Sequence, residues 1–318
     1  MKSNSWKKFV LIVASAAALS IGVASRAYAN ELWIFNLPNG QVGVPSGALP
    51  PPGVYGSIDN YFALLQSRND EGKKIQGDTL RALIEFPFVE WVPGMTILGG
   101  SYGAALGQPF DYTNYEYMQQ RYPGAGNMGL YNTVVEPLIL SWMLPDHLFA
   151  SVNAAFFLPD ATTSMADFVK GDLKNGGLPS GNGYASVMPG AAFTWLYNGW
   201  DITANFRVVI PLGSTKVNEP RPYNYRTGDQ FLGDYTVEKT VGHWNLGVGF
   251  SQQNQIQKDT FNGQSAPGTV MKIYTVGPFV GYQFIGGIQV TLLWAHVIAA
   301  SSTGVSGDGV DLRLQARF

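Results

Sequence analysis

Residues 309–318, "GVDLRLQARF", decide how this chain has to be read. Val310, Leu312, Leu314, Ala316 and Phe318 fall on one side of a period-two pattern, and Asp311, Arg313, Gln315 and Arg317 on the other. That is a strand with one apolar and one charged face. Chain ends are ordinarily frayed and polar, so alternation carried through to residue 318 calls for a partner strand.

The same rhythm recurs along the chain. "WDITANFRVVI" (200–210) opposes Trp200, Ile202, Ala204 and Phe206 to Asp201, Thr203, Asn205 and Arg207. "WNLGVGF" (244–250) and "IQVTLLW" (288–294) alternate in the same way, and "LRALIEF" (80–86) sets Leu80, Ala82, Ile84 and Phe86 against Arg81 and Glu85. Only 13% of residues are charged, about half the share usual in a soluble domain. Aromatic residues also reach 13%. Beyond the N-terminal leader no stretch is apolar for long enough to form a spanning helix. A chain that is apolar in sum but never for long fits an antiparallel transmembrane β-barrel, where only alternate residues touch lipid.

Twelve strands are predicted, near 54–65, 78–92, 95–108, 129–142, 147–158, 184–197, 199–212, 229–241, 243–257, 269–284, 287–299 and 308–318. Their connections alternate. Short links such as "NG" (198–199), "GH" (242–243) and "IGG" (285–287) separate long ones at 66–77, 109–128, 159–183, 213–228, 258–268 and 300–307. Outer-membrane barrels have short periplasmic turns and long outer loops, and that rule places both termini on the periplasmic side. Trp91, Trp142, Trp195, Trp200 and Trp244 lie beside predicted short turns, as an interfacial aromatic belt requires. Pro87, Pro137, Pro189 and Pro278 fall inside strands, where each is expected to mark a bulge or bend.

The first 29 residues have the layout of a cleaved signal peptide. Lys2, Lys7 and Lys8 precede the apolar run 9–23, and Ala27-Tyr28-Ala29 supplies the small-residue cleavage site. Without that leader 16 basic residues face 22 acidic ones, a balance that disfavours nucleic-acid binding. Cysteine is absent and histidine occurs three times, so neither a metal site nor a cofactor is read from the sequence. Residues 30–53 are rich in proline and glycine and form a periplasmic lead-in or a lumen plug. Leu32, Trp33, Ile34 and Phe35 favour insertion, because they are costly to leave in water. The barrel proper is 54–318.

A charge facing lipid at the membrane midplane costs about 2–4 kcal/mol. Arg81, Glu85, Asp201, Arg207, Asp234, Glu238, Asp311, Arg313 and Arg317 are therefore assigned to the lumen, as a packed ion-pair network or a selective lining. Tyr112, Tyr115, Tyr223 and Tyr225, with Arg226 and Asp229, are candidates for an aromatic solute site in the loops. Alternatively, Arg226 and Asp229 pair and simply hold the loop over the mouth. "GGSYG" (99–103) spells a nucleophile elbow but lacks the helix that such an elbow needs. His296 with Ser301 and Ser302 is the nearest match to a barrel lipase.

Several segments are similar to one family. "LPPPGVYGSIDNYF", "NTVVEPLILSWML" followed by "HLFASVNAAFFLPD", and "YNYRTGDQFLGDYTV" followed by "HWNLGVGFSQQNQIQKD" follow its pattern, most specifically at Tyr225–Phe231. The mature chain resembles the phenol-degradation meta-pathway outer-membrane family, although "LPD" at 158–160 departs from the family's LPTG form. The resemblance implies an outer-membrane location and uptake of small hydrophobic or aromatic compounds. It also implies membrane lipid and the barrel-assembly machinery as partners, with Phe318 as the assembly signal. The alternatives are a structural or adhesive barrel without transport and, third, a lipase-like enzyme.

Overall fold

The computed structural model describes residues 41–68, 73–74, 79–117, 120–121, 127–164, 166–167, 179–217, 222–265, 270–301 and 305–318. Twelve antiparallel strands close into a barrel. They are β1 (Gly53–Ser67), β2 (Thr79–Val92), β3 (Gly100–Gly107, resumed at Phe110–Tyr117), β4 (Asn127–Leu130, resumed at Val134–Met143), β5 (Leu148–Phe157) and β6 (Ser186–Tyr197). The second half comprises β7 (Trp200–Pro211), β8 (Gln230–Val241), β9 (Trp244–Gln255), β10 (Lys272–Gln283), β11 (Gln289–Ala300) and β12 (Val305–Arg317). Each strand pairs with its neighbours in sequence, and β12 closes on β1 from Tyr55↔Arg317 to Ser67↔Val305. No edge is left open, which lipid demands. A twelve-residue strand is about 40 Å long. At the usual tilt it crosses an apolar band of about 25 Å.

Alternation sorts the faces. Phe62, Leu64, Leu83, Val248, Leu292 and Leu312 are exposed on the outside, while Tyr61, Ala63, Leu65, Thr291, Asp311 and Arg313 are buried inside. The five tryptophans sit on the outward face at the short-turn end. There Trp142 donates to the Leu98 carbonyl (3.1 Å) and Trp195 to that of Asp146 (3.1 Å), so their N–H groups are satisfied at the interface. At the 198–199 turn Asn198 (φ 48°) and Gly199 (φ 73°) are both left-handed, the conformation that a two-residue hairpin requires.

All four strand prolines coincide with broken ladders. Pairing of β2 passes from one half of β3 to the other around Pro87. Register shifts flank Pro137 on both sides. The ladder skips Pro189 towards β7 and Pro278 towards β11. Lost backbone bonds are partly replaced: Tyr102 Oη donates to the Pro137 carbonyl at 2.9 Å.

Two expectations are corrected. The third strand does not stop at 108. Phe110–Glu116 pairs with Thr79–Glu85, and Phe110–Thr113 pairs with Asn127–Leu130, so much of the expected loop 109–128 is hairpin. Tyr112 and Tyr115 are strand residues, with Tyr112 beside Leu83 in register. Arg81 and Glu85 face outward with Leu83, and Leu80, Ala82 and Ile84 face the lumen. The period was right and the face inverted, because the lumen at this level is apolar. Arg81 lies near the strand end, where an outward charge costs only about 0–1 kcal/mol, and Glu85 lies beside Asn60.

Candidate functional site

The lumen is layered. At the long-loop end Tyr61, Leu65, Ile84, Phe157, Val209 and Leu232 belong to one buried apolar cluster contributed by strands all around the wall. This collar explains the inversion of β2, since an inward Arg81 would be desolvated among aliphatic groups.

Below the collar runs a charged belt. Arg313 Nε donates to Asp59 Oδ1 at 2.6 Å, with Asp311 3.7 Å away, and both arginine and aspartates are buried. Asp59 and Arg313 are register partners across the closing seam. Further round, Arg207 pairs with Asp234, which also accepts from Ser251, and Asn153 donates to Glu136. Gly190 lies between Asn153 and Arg207; a Cβ there would come within 2.3 Å of Asn153 Oδ1 and 2.9 Å of Arg207 Cγ. A side chain at 190 would break the belt.

The chain segment ahead of β1 crosses the lumen beneath this belt. Gly43 N–H donates to Thr236 Oγ1 (3.0 Å) and Gly47 N–H to Thr194 Oγ1 (2.9 Å). The carbonyls of Ser46 and Gly47 accept from Ser151 and Ser141 at 2.7 Å each, and Arg313 Nη1 donates to the Val42 carbonyl at 2.9 Å. Irregular backbone at membrane depth must find such partners, and a row of inward hydroxyls supplies them. Val42 is fully buried beside Phe279, Leu293 and Ala295. It fits because position 249 is glycine: a Cβ there would lie 2.2 Å from Val42 Cγ1. Residues 30–40, including Leu32–Phe35, lie outside the described residues.

Above the barrel, short strands Thr215–Val217, Tyr223–Arg226, Thr260–Phe261 and Gln264–Ser265 form a second sheet that joins the loops after β7 and β9. Asp259 is its hub. It accepts from Tyr225 Oη (2.8 Å), from Gly228 N–H (2.9 Å) and from Gln255. Tyr225 is only 1% exposed. Tyr184 Oη donates to Thr227 Oγ1 (3.1 Å), and Arg226 donates to the Pro211 carbonyl (3.0 Å) while lying 3.7 Å from Asp229.

A family model described as "Putative MetA-pathway of phenol degradation" matches residues 66–314. The chain belongs to that family. A comparison with curated proteins finds no match. Among solved structures, an outer membrane channel of Pseudomonas putida F1 aligns over 87% of this chain and 98% of its own, with a TM-score of 0.72 at 12% identity. The transport unit of the autotransporter AIDA-I of Escherichia coli covers 95% of this chain and 97% of its own (TM-score 0.50, 9% identity). A mutant of the TodX monoaromatic hydrocarbon channel covers 91% and 94% (TM-score 0.45, 9% identity). The likeness to the Pseudomonas putida channel shows the barrel fold of this phenol-degradation family member.

In the family barrel, Asp201, Arg207, Asp234, Glu238, Asp311 and Arg313 are inward and buried. Arg317 sits exposed at the short-turn rim, donating to the Pro52 carbonyl (2.9 Å) beside the Tyr55 ring. Tyr225 offers no open aromatic face: its ring packs 4.9 Å from Phe261 and its hydroxyl is held by Asp259. Its place in the signature is to lock two loops together. The side chains of Tyr115 and Tyr223, and residue Ser302, lie outside the described residues. His296 turns outward and bonds Asp308 at 2.8 Å, and Ser101 pairs with Thr96 in a hairpin. Asp59, Glu136 and Asp259 were not singled out from sequence. The first two were findable as lone charges in apolar strands, which lipid drives inward; Asp259 was not, because its role needs two loops to meet.

Asp259 gives the loop sheet a pH dependence. Burial pushes its carboxyl up to about 7, against the pull of its three donors. Its folded pKa therefore exceeds the unfolded value of about 3.9. The stabilisation is complete below that unfolded value and is lost as pH rises through about 7. Proteolysis of the loops is expected to be several-fold slower near pH ~5 than near pH ~8.5, with Asp259→Asn flattening the difference. Faster cleavage at the lower pH in the wild type would contradict the assignment.

Proposed function

We propose that this barrel is a passive outer-membrane channel for small hydrophobic molecules, aromatic compounds foremost. The observation that carries the reading is the apolar collar at the long-loop end of the lumen, in a chain of the phenol-degradation family. An apolar mouth lowers the barrier for solutes that shed water readily, whereas a general porin keeps a polar lumen. The charged belt then serves mainly to hold the wall and the crossing segment, because each buried arginine is committed to carboxylates. No catalytic step is assigned. The chain is exported by residues 1–29, and Phe318, exposed beyond β12 with its N–H on the Val54 carbonyl (2.8 Å), presents the assembly signal. The segment crossing the lumen favours a second reading, a barrel that conducts nothing.

Planar-bilayer recording separates the two. The refolded channel should carry current, and phenol-class solutes should interrupt it in brief blockades that Phe157→Ser and Ile84→Ser reduce several-fold. A silent barrel would support the structural reading; blockades untouched by both substitutions would remove the collar from the path.

A further inference from the structure

At the short-turn end a cavity of about 420 Å³ lies between Gly43 and Pro45 of the crossing segment and the wall. Two of its lining side chains are Asp201 and Glu238. They are direct register partners on β7 and β8, so two inward carboxylates stand about 5 Å apart at their Cα atoms. Like charges directly opposed on a sheet are destabilising unless something sits between them.

Among the described residues nothing basic lines this cavity, and Asn198, Thr240, Asn245, Gln289 and Gln315 complete its polar wall. The nearby cations are occupied elsewhere. Arg207 is held by Asp234 and Arg313 by Asp59, and Lys239 donates outward to the Asn198 carbonyl over the Trp200 ring. Among the described residues Asp201 has one partner, the Thr203 hydroxyl at 2.6 Å. Glu238 is only 6% exposed and has no hydrogen bond or ion pair among the described residues. Glu238 thus opens into the cavity with no donor from the described residues, where a buried carboxylate ordinarily has one.

We propose that Asp201 and Glu238 bind a hard divalent cation, calcium, in this cavity. The available donors are all oxygens, two charged and the rest hydroxyl or amide, the set that calcium prefers at six to eight positions. Magnesium demands stricter octahedral geometry, which side chains projecting from two fixed strands do not impose. With two charges and several water ligands, affinity should fall in the weak range of extracellular calcium modules, about 0.1–1 mM. The cation relieves the opposed carboxylates and adds positive charge at the inner mouth of the lumen.

Terbium luminescence tests this directly, because Trp200 adjoins Asp201 in the chain and Tyr197 is the partner of Trp200 across the hairpin, near enough to sensitise a bound lanthanide. The refolded wild-type protein should show sensitised emission that millimolar calcium displaces. Glu238→Gln should weaken binding roughly tenfold, and Asp201→Asn with Glu238→Gln should abolish it. Both are amide replacements that remove repulsion, and heat-modifiable gel mobility verifies that each folds. If only one variant folds, loss of emission in that one still supports the site. Calcium-displaceable emission persisting in a folded variant overturns the site, as does its absence in the wild type.

Discussion

Deleting residues 41–48 is expected to raise unitary conductance roughly 3- to 10-fold, with the barrel still formed. That segment crosses the lumen on bonds to Thr236, Thr194, Ser151 and Ser141, four hydroxyls on four different strands. The strands make their ladder bonds with each other, so wall closure does not depend on it. Once the segment is gone, the hydroxyls turn to water and the belt above faces an open bore. Val42 is the anchor: burying such a side chain stabilises the inserted state by about 1.5–3 kcal/mol. A point variant gives the same direction without truncation. Gly249→Val places a Cβ 2.2 Å from Val42 Cγ1 and should lift the segment part of the way, with a smaller rise in conductance. Bilayer recordings in which the deletion conducts like the full chain would show that ions pass elsewhere.

Replacing Arg313 by methionine is expected to cost about 3–5 kcal/mol of stability, the penalty for stranding buried charges. The guanidinium lies among Asp59 at 2.6 Å, Asp311 at 3.7 Å and the Val42 carbonyl at 2.9 Å. Methionine leaves two carboxylates facing each other in a desolvated lumen, on the very strands that close the barrel. Urea unfolding of the refolded protein measures the loss. The triple variant Asp59→Asn, Asp311→Asn, Arg313→Met removes the stranded charge and should recover most of the stability, since buried ion pairs are commonly replaceable as a unit. Equal midpoints for wild type and the single variant would mean that water reaches this level of the lumen and screens the pair.

These predictions use residues of unequal legibility. Arg313, Asp311, Arg207 and Asp234 were readable because each stands in a cleanly alternating strand whose opposite face is apolar. Lipid then leaves a charge only one direction. Arg81 and Glu85 obeyed the same alternation and pointed the other way. The rule that charges turn inward assumes a polar lumen throughout, and the collar of Tyr61, Leu65, Ile84 and Leu232 is apolar at that level. The family signature around Tyr225 was visible as a motif. Its meaning was not, because Asp259, the residue it serves, lies 34 positions away on another loop.

The sequence by itself determined the class of fold, the number of strands and the placing of short turns, because period-two hydropathy and turn residues are local properties of the chain. Pro87, Pro137, Pro189 and Pro278 announced where the ladder would fail for the same reason, a missing N–H. Tertiary structure alone decided what fills the lumen. Whether a row of inward hydroxyls meets a crossing segment, whether two arginines find their carboxylates, and whether Glu238 faces Asp201 across an open cavity all depend on registers between strands. Those registers are settled only when the barrel closes and every backbone group at membrane depth has to find its partner.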